Sequence, residues 1–169
     1  MSDIAKVCID VSYSGNDGHV AGVAFSDWTS SVPLWTGTTV VHNVAPYESG
    51  SFYKREMPCI LAILKEVPFK YDTIVIDGYV WLGTNPGMGA HLYEELNQEC
   101  KVIGVAKTEF HNAASTKVCR HGCVPLYITS IGISEEDAAL AIKSMFGPYR
   151  IPKLIKLADT LSRNRIDPV

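Results

Sequence analysis

Near the start of the chain, Lys6–Ser14 alternates without a break: Val7, Ile9, Val11 and Tyr13 interleave with Cys8, Asp10, Ser12 and Ser14. Successive side chains on a strand point to opposite faces, so this period of two demands a strand with two unlike faces. It also puts a carboxylate in the middle of that strand. Gly15-Asn16-Asp17-Gly18 then reads as a turn, and His19–Phe25 as a second strand. After a polar stretch holding Trp28 and Pro33, Leu34–His42 makes a third. Three strands with short connections predict an antiparallel meander.

The pattern then changes. Met57–Val67 reads as a helix, with Ile60, Leu61, Ile63 and Leu64 apolar and Pro58 tolerated in a first turn. Thr73–Ile76 is a β-branched run closing on Asp77-Gly78, as a buried strand feeding a loop does. Gly89–Cys100 is helical in composition, Val102–Ala106 is a further buried strand ending at Lys107, and Leu126–Thr129 is a last one. Ser134 caps a helix running to about Phe146, with Asp137 at its third position. Pro152 opens a final helix in which Leu154, Leu157, Ala158 and Leu161 form an apolar stripe. The expectation is an α/β fold: the meander extended by parallel strands into one mixed sheet, flanked by helices.

A chain of 169 residues is the size of one domain, and 1–169 is read as one. No apolar run approaches the ~18 residues of a membrane span, and the N-terminus lacks the apolar stretch of a signal peptide. Five cysteines without such a signal read as reduced thiols in a cytoplasmic protein. The net charge of −3 argues against binding nucleic acid by bulk positive charge. The charge is uneven, however. From Tyr149 onward there are five basic residues against two acidic ones, on an otherwise acidic body. That suits a carboxylate-rich metal site beside a polyanion contact; a helix with a solvated basic face accounts for it equally well.

Three acids stand out by position. Asp10 lies mid-strand, Glu56 precedes an apolar helix, and Asp77 closes a buried strand. A lone buried carboxylate is costly and needs a partner, a cation or an edge position. If the first and fourth strands are neighbours, Asp10 and Asp77 meet at the sheet and Glu56 reaches them from the helix. Carboxylates so gathered bind Mg²⁺, or Mn²⁺ in its place, through hard oxygen ligands. Such a site activates water and steadies an in-line phosphoryl displacement. The structural alternative is a turn cap, a solvated helix start and a strand end.

The local sequences bear on this choice. Ile9-Asp10-Val11-Ser12-Tyr13, Tyr47…Gly50…Phe52-Tyr53-Lys54-Arg55-Glu56, Val75-Ile76-Asp77-Gly78, Gly87…His91-Leu92, Ile103-Gly104-Val105-Ala106-Lys107 and Tyr149-Arg150-Ile151-Pro152…Leu157-Ala158-Asp159 follow one another. In that order they resemble the endonuclease V family over nearly the whole chain. The resemblance implies an RNase H-like fold and Mg²⁺-dependent cleavage of a phosphodiester near a deaminated base, typically inosine, in DNA or RNA. It matches Asp10, Glu56 and Asp77 to metal-binding acids and Lys107 to a lysine near the scissile phosphate. It places Tyr47, Gly50, Gly78, His91 and Arg150 at the nucleic acid. A cytoplasmic monomer serving DNA repair is the corresponding expectation.

The chain also departs from the family pattern. A wedge usually written Tyr-Ile-Pro-Gly is Tyr47-Glu48-Ser49-Gly50, Val80 stands where a glycine is common, and a basic pair further on is absent. Altered base specificity is therefore expected. Two alternatives stay open: a nuclease of the same fold with another nucleic-acid substrate, and a binding module with little cleavage. Elsewhere, His111, Cys119, His121 and Cys123 are spaced unlike a zinc site and read as a surface loop.

Overall fold

The computed structural model describes residues 4–46, 53–111, 113–122 and 124–164. Tyr47 and Gly50, with the rest of the wedge segment, lie outside the described residues. The meander forms as expected: β1 (Ala5–Ser14), β2 (Asp17–Phe25) and β3 (Trp35–Val41) pair antiparallel. The turn between the first two holds Gly15 at a φ of 59°, a conformation glycine adopts without steric cost. The chain then crosses through α1 (Tyr53–Leu64) to β4 (Tyr71–Asp77), which lies parallel to β1. A small hairpin of β5 (Trp81–Leu82) and β6 (Asn85–Pro86) leads into α2 (Met88–Glu95) and β7 (Lys101–Ala106), parallel to β4. The short β8 (Thr116–Val118) and β9 (Leu126–Ile131) follow, then α3 (Glu135–Ser144) and α4 (Lys153–Arg163). The sheet order is β3-β2-β1-β4-β7-β9-β8.

The sheet's two faces bury separate cores, as the period-two pattern requires. On one face Val7, Ile9, Ile74, Ile76 and Val102 pack with Cys59, Ile60 and Ile63 of α1 and Leu92 of α2. On the other, Cys8, Val75, Ile103, Val105 and Ile128 pack with Ala138 and Ile142 of α3 and Leu154 and Ala158 of α4. Helices on both faces of a largely buried sheet give a three-layer α/β/α arrangement.

The helices differ in detail from the sequence reading. α1 begins four residues before Met57, so Glu56 lies inside its first turn and Pro58 sits within the helix. Pro58, the sixth residue of the helix, has no N–H for the Lys54 carbonyl, and its ring crowds that carbonyl. α2 stops at Glu95, and Asn97 and Gln98 take left-handed φ values of 56° and 60°. Ser134 caps α3 as expected, its Oγ accepting from the Asp137 N–H at 3.1 Å. No helix among the described residues is long and apolar enough to cross a membrane.

Candidate active site

The parity of the strands assembles the site. β1 and β4 run parallel with Ile9 opposite Ile76, so Asp10 and Asp77 are each the next residue along adjacent strands. Cys8 and Val75 face the α3/α4 side. Side chains two residues apart share a face, which puts Asp10 and Asp77 on that side too. β7 adds Val105 to the same face, and Lys107 follows it by two. Asp10, Asp77 and Lys107 thus line one cleft under α4, with Val75 and Ile76 from the sheet and Ala158 from the helix.

The turn after Asp77 depends on two glycines. Gly78 has a φ of 122°, and its N–H donates to the Val105 carbonyl at 3.1 Å. A Cβ on Gly104 would stand 2.5 Å from the Gly78 carbonyl, so β7 must be bare there for the turn to lie on it. Gly78→Ala is expected to lower stability by roughly 1–3 kcal/mol, because that φ is strained for any side chain. Urea unfolding measures it.

α4 supplies an acid that inspection for apolar periodicity overlooks. Asp159 is buried on the helix face against the sheet and lines the same cleft. Arg163 Nε donates to its Oδ1 at 2.6 Å and Lys156 Nζ to its Oδ2 at 3.2 Å. One turn on, Ser12 Oγ donates to the Ser162 carbonyl at 2.6 Å, fastening the helix to β1. Glu56 comes from the opposite face of the sheet, on the first turn of α1, and is 8% exposed.

The electrostatics bind these groups into one cluster. Burial pushes Glu56 up to about 8, helped by the negative charges of Asp10 and Asp77; Arg55 pulls it back in part. Asp10 is pushed up to about 7 by burial, by its hydrogen bond with Asp159 and by the charges of Asp77 and Asp159. Asp77 is also raised, by burial first, with Lys107 opposing. Burial pushes Asp159 up as well, but hydrogen bonds from Arg163, Asp10 and Lys156 hold it below the usual carboxylate range. Among the described residues, no group of three or more His, Cys, Asp or Glu side chains is placed to hold a metal ion as it stands, here or around Cys119 and His121. The donor chemistry nevertheless fits a hard divalent cation. Asp10 and Glu56 offer carboxylate oxygens whose shifts come from burial and from neighbouring negative charges, and an added cation would relieve that repulsion.

The other residues expected at the nucleic acid are spread more widely. His91 stacks on Tyr53, ring centroids 3.6 Å apart, in a groove between α1 and α2. Arg150 Nη2 donates to the carbonyls of Lys107 at 2.5 Å and Pro125 at 2.7 Å, tying the start of α4 to the end of β7. Val80 is fully buried. Its N–H donates to Thr129 Oγ1 at 2.8 Å, and its side chain packs where a Cβ on Gly89 would go. It fills core space under α2.

A mixed sheet in this order, helix-covered on both faces and carrying carboxylates on its central strands, is an RNase H-like fold. The family model for endonuclease V matches residues 4–127. The endonuclease V of Pyrococcus horikoshii is 27% identical over 168 residues, 98% of this chain and 77% of that protein. Among solved structures, Ciona intestinalis endonuclease V, in complex with a 24mer DNA containing an inosine followed by a ribo-adenosine, superposes with a TM-score of 0.82. It is 21% identical, and the match covers 96% of this chain and 88% of that one. Human ENDOV gives 0.79 at 20% identity, over 95% and 83%. The chain belongs to the endonuclease V family, a family of nucleases.

Proposed function

We propose that this protein is a divalent-metal-dependent endonuclease that hydrolyses a phosphodiester near a deaminated base, inosine, in DNA or RNA. The observation that carries this reading is the gathering of Asp10, Glu56 and Asp77: beyond burial, the charges of Asp10 and Asp77 raise Glu56, the charge of Asp77 helps raise Asp10, and Lys107 acts on Asp77. Those three acids would hold Mg²⁺ or Mn²⁺, with Asp159 adjoining. When bound, the ion supplies Lewis-acid polarisation of the phosphate and activation of water. Lys107 offers a cation where charge builds on the scissile phosphate. Asp159, held by Arg163 and Lys156, keeps its charge and a fixed orientation next to Asp10. Arg150, through the Lys107 carbonyl, steadies the backbone that carries the lysine.

Base choice is the less conserved part of the reading. An acidic wedge tip at Glu48-Ser49 would repel phosphates, so discrimination for inosine over adenosine is expected to be weak. The test is single-turnover cleavage with Mg²⁺ of matched strands with and without one inosine. Rates within about ten-fold of each other are expected; a ratio in the hundreds, roughly 3 kcal/mol in the barrier, would mean the pocket selects inosine fully. No cleavage of either strand would sink the nuclease reading. Preference for the undamaged strand would favour the second reading, a nuclease of this fold with another substrate.

A further inference from the structure

The loop between α3 and α4 is built with more care than a connection needs. Arg120, just past β8, folds its guanidinium against it. Nη1 donates to the carbonyls of Tyr149 and Arg150, and Nη2 to those of Met145 and Gly147. Four carbonyls on one planar cation fix the loop backbone, because the donors of a guanidinium sit in a rigid fork. Arg150 then ties the same loop to Lys107 and Pro125.

What this rigid backbone displays is aromatic and exposed. Tyr149 is 75% exposed and Phe146 47%. They border a hollow of about 460 Å³ whose rim carries Lys153 and Lys156. The Lys153 ammonium lies 5.5 Å from the centre of the Phe146 ring and donates to the Ser31 carbonyl at 2.8 Å. The hollow adjoins the acid cleft: Ile151 lines both, and Lys156 on its rim holds Asp159.

A held aromatic surface with cations alongside suits an unpaired base and its phosphate. Charge complementarity favours that occupant over an apolar peptide. A polyanion crossing an acidic cleft also needs cations beside the cleft to hold it there. We propose that the Phe146–Tyr149 loop is a second nucleic-acid subsite, stacking an unpaired base of the substrate strand away from the cleaved bond, with Lys153 on the adjoining phosphate. This rests on the reading of the acid cluster as a nuclease site.

The test is cleavage by the full chain of single strands shortened stepwise from either end. For the unaltered protein, kcat/KM should fall at one step, where the stacked nucleotide is lost, and an abasic position there should reproduce the fall. In Phe146→Ala/Tyr149→Ala the long-strand advantage should drop about ten-fold or more, through KM and not kcat. It should drop whether or not the strand carries inosine. Tyr149→Trp should keep the advantage, since indole stacks as phenol does, and circular dichroism checks that each variant is folded. An unchanged ratio of long- to short-strand cleavage in the double alanine variant would overturn the subsite while leaving the nuclease reading intact. An unaltered protein that cleaves no strand would overturn both.

Discussion

Asp77→Ala is expected to reduce Mg²⁺-dependent cleavage by about three orders of magnitude or more. The side chain ends β4 beside Asp10, with Lys107 acting on it from β7. It would be a ligand and also part of the negative field that attracts the ion. Losing several kcal/mol of transition-state stabilisation corresponds to a fall of that size. The fold should survive, because Asp77 is the last residue of its strand and belongs to neither apolar core. Removing one of several clustered charges lowers the repulsion on Asp10 and Glu56, so the metal-free variant should melt no lower than the parent. Two measurements check this: product formation with Mg²⁺, and thermal melting in EDTA. Undiminished cleavage would remove Asp77 from the site.

The second large effect is on stability against pH. Glu56 moves from an ordinary 4.5 to about 8, and Asp10 from 3.8 to about 7. Between those limits the folded protein holds protons that the unfolded chain has released. Stability of the metal-free protein must therefore fall as pH rises from about 4 to about 8, and level off above. For Glu56 alone the loss is on the order of 5 kcal/mol. Asp159 acts in the opposite sense, but its depressed pKa matters only below the ordinary carboxylate range. Mg²⁺ or Mn²⁺ should displace the protons and restore stability at pH 8, with proton uptake by the buffer measurable by calorimetry. Glu56→Gln should flatten the metal-free curve. A metal-free stability that rises from pH 5 to 8 would show that these carboxylates are not held protonated by the fold.

Much of this site can be read from residue order, for identifiable reasons. Alternation in Lys6–Ser14 gives Asp10 its face, and the β-branched run before Asp77 gives that residue its strand end. Parallel pairing of β1 with β4 then brings the two together. Lys107 falls on the same face by the same parity. Asp159 is harder to see. The apolar stripe Leu154, Leu157, Ala158 and Leu161 is real, but the buried face of α4 is turned toward Ala158, Asp159 and Ser162. Hydropathy counts a charged residue as solvent-facing, so an acid buried against two cations escapes it. The burial of Val80 escapes the sequence because it follows a turn whose glycine takes a positive φ, where no strand or helix period sets side-chain direction. The start of α1 is hidden because Tyr53-Lys54-Arg55-Glu56 is mostly polar and only Glu56 of the four is buried, so no apolar period marks it. β8 and the β5–β6 hairpin are too short to carry a periodic signal.

The bond from Ser12 to the Ser162 carbonyl joins points 150 residues apart along the chain. α4 carries Asp159 and seats on β1, so among the described residues the acid cleft joins the first strand to the last helix. Contacts of such sequence separation must await the closure of long loops and form slowly. Until then Asp10 and Asp77 lack their roof, and Asp159 lies away from them on an undocked helix. The acid cleft therefore comes into being only when the first strand and the helix at the far end of the described residues meet.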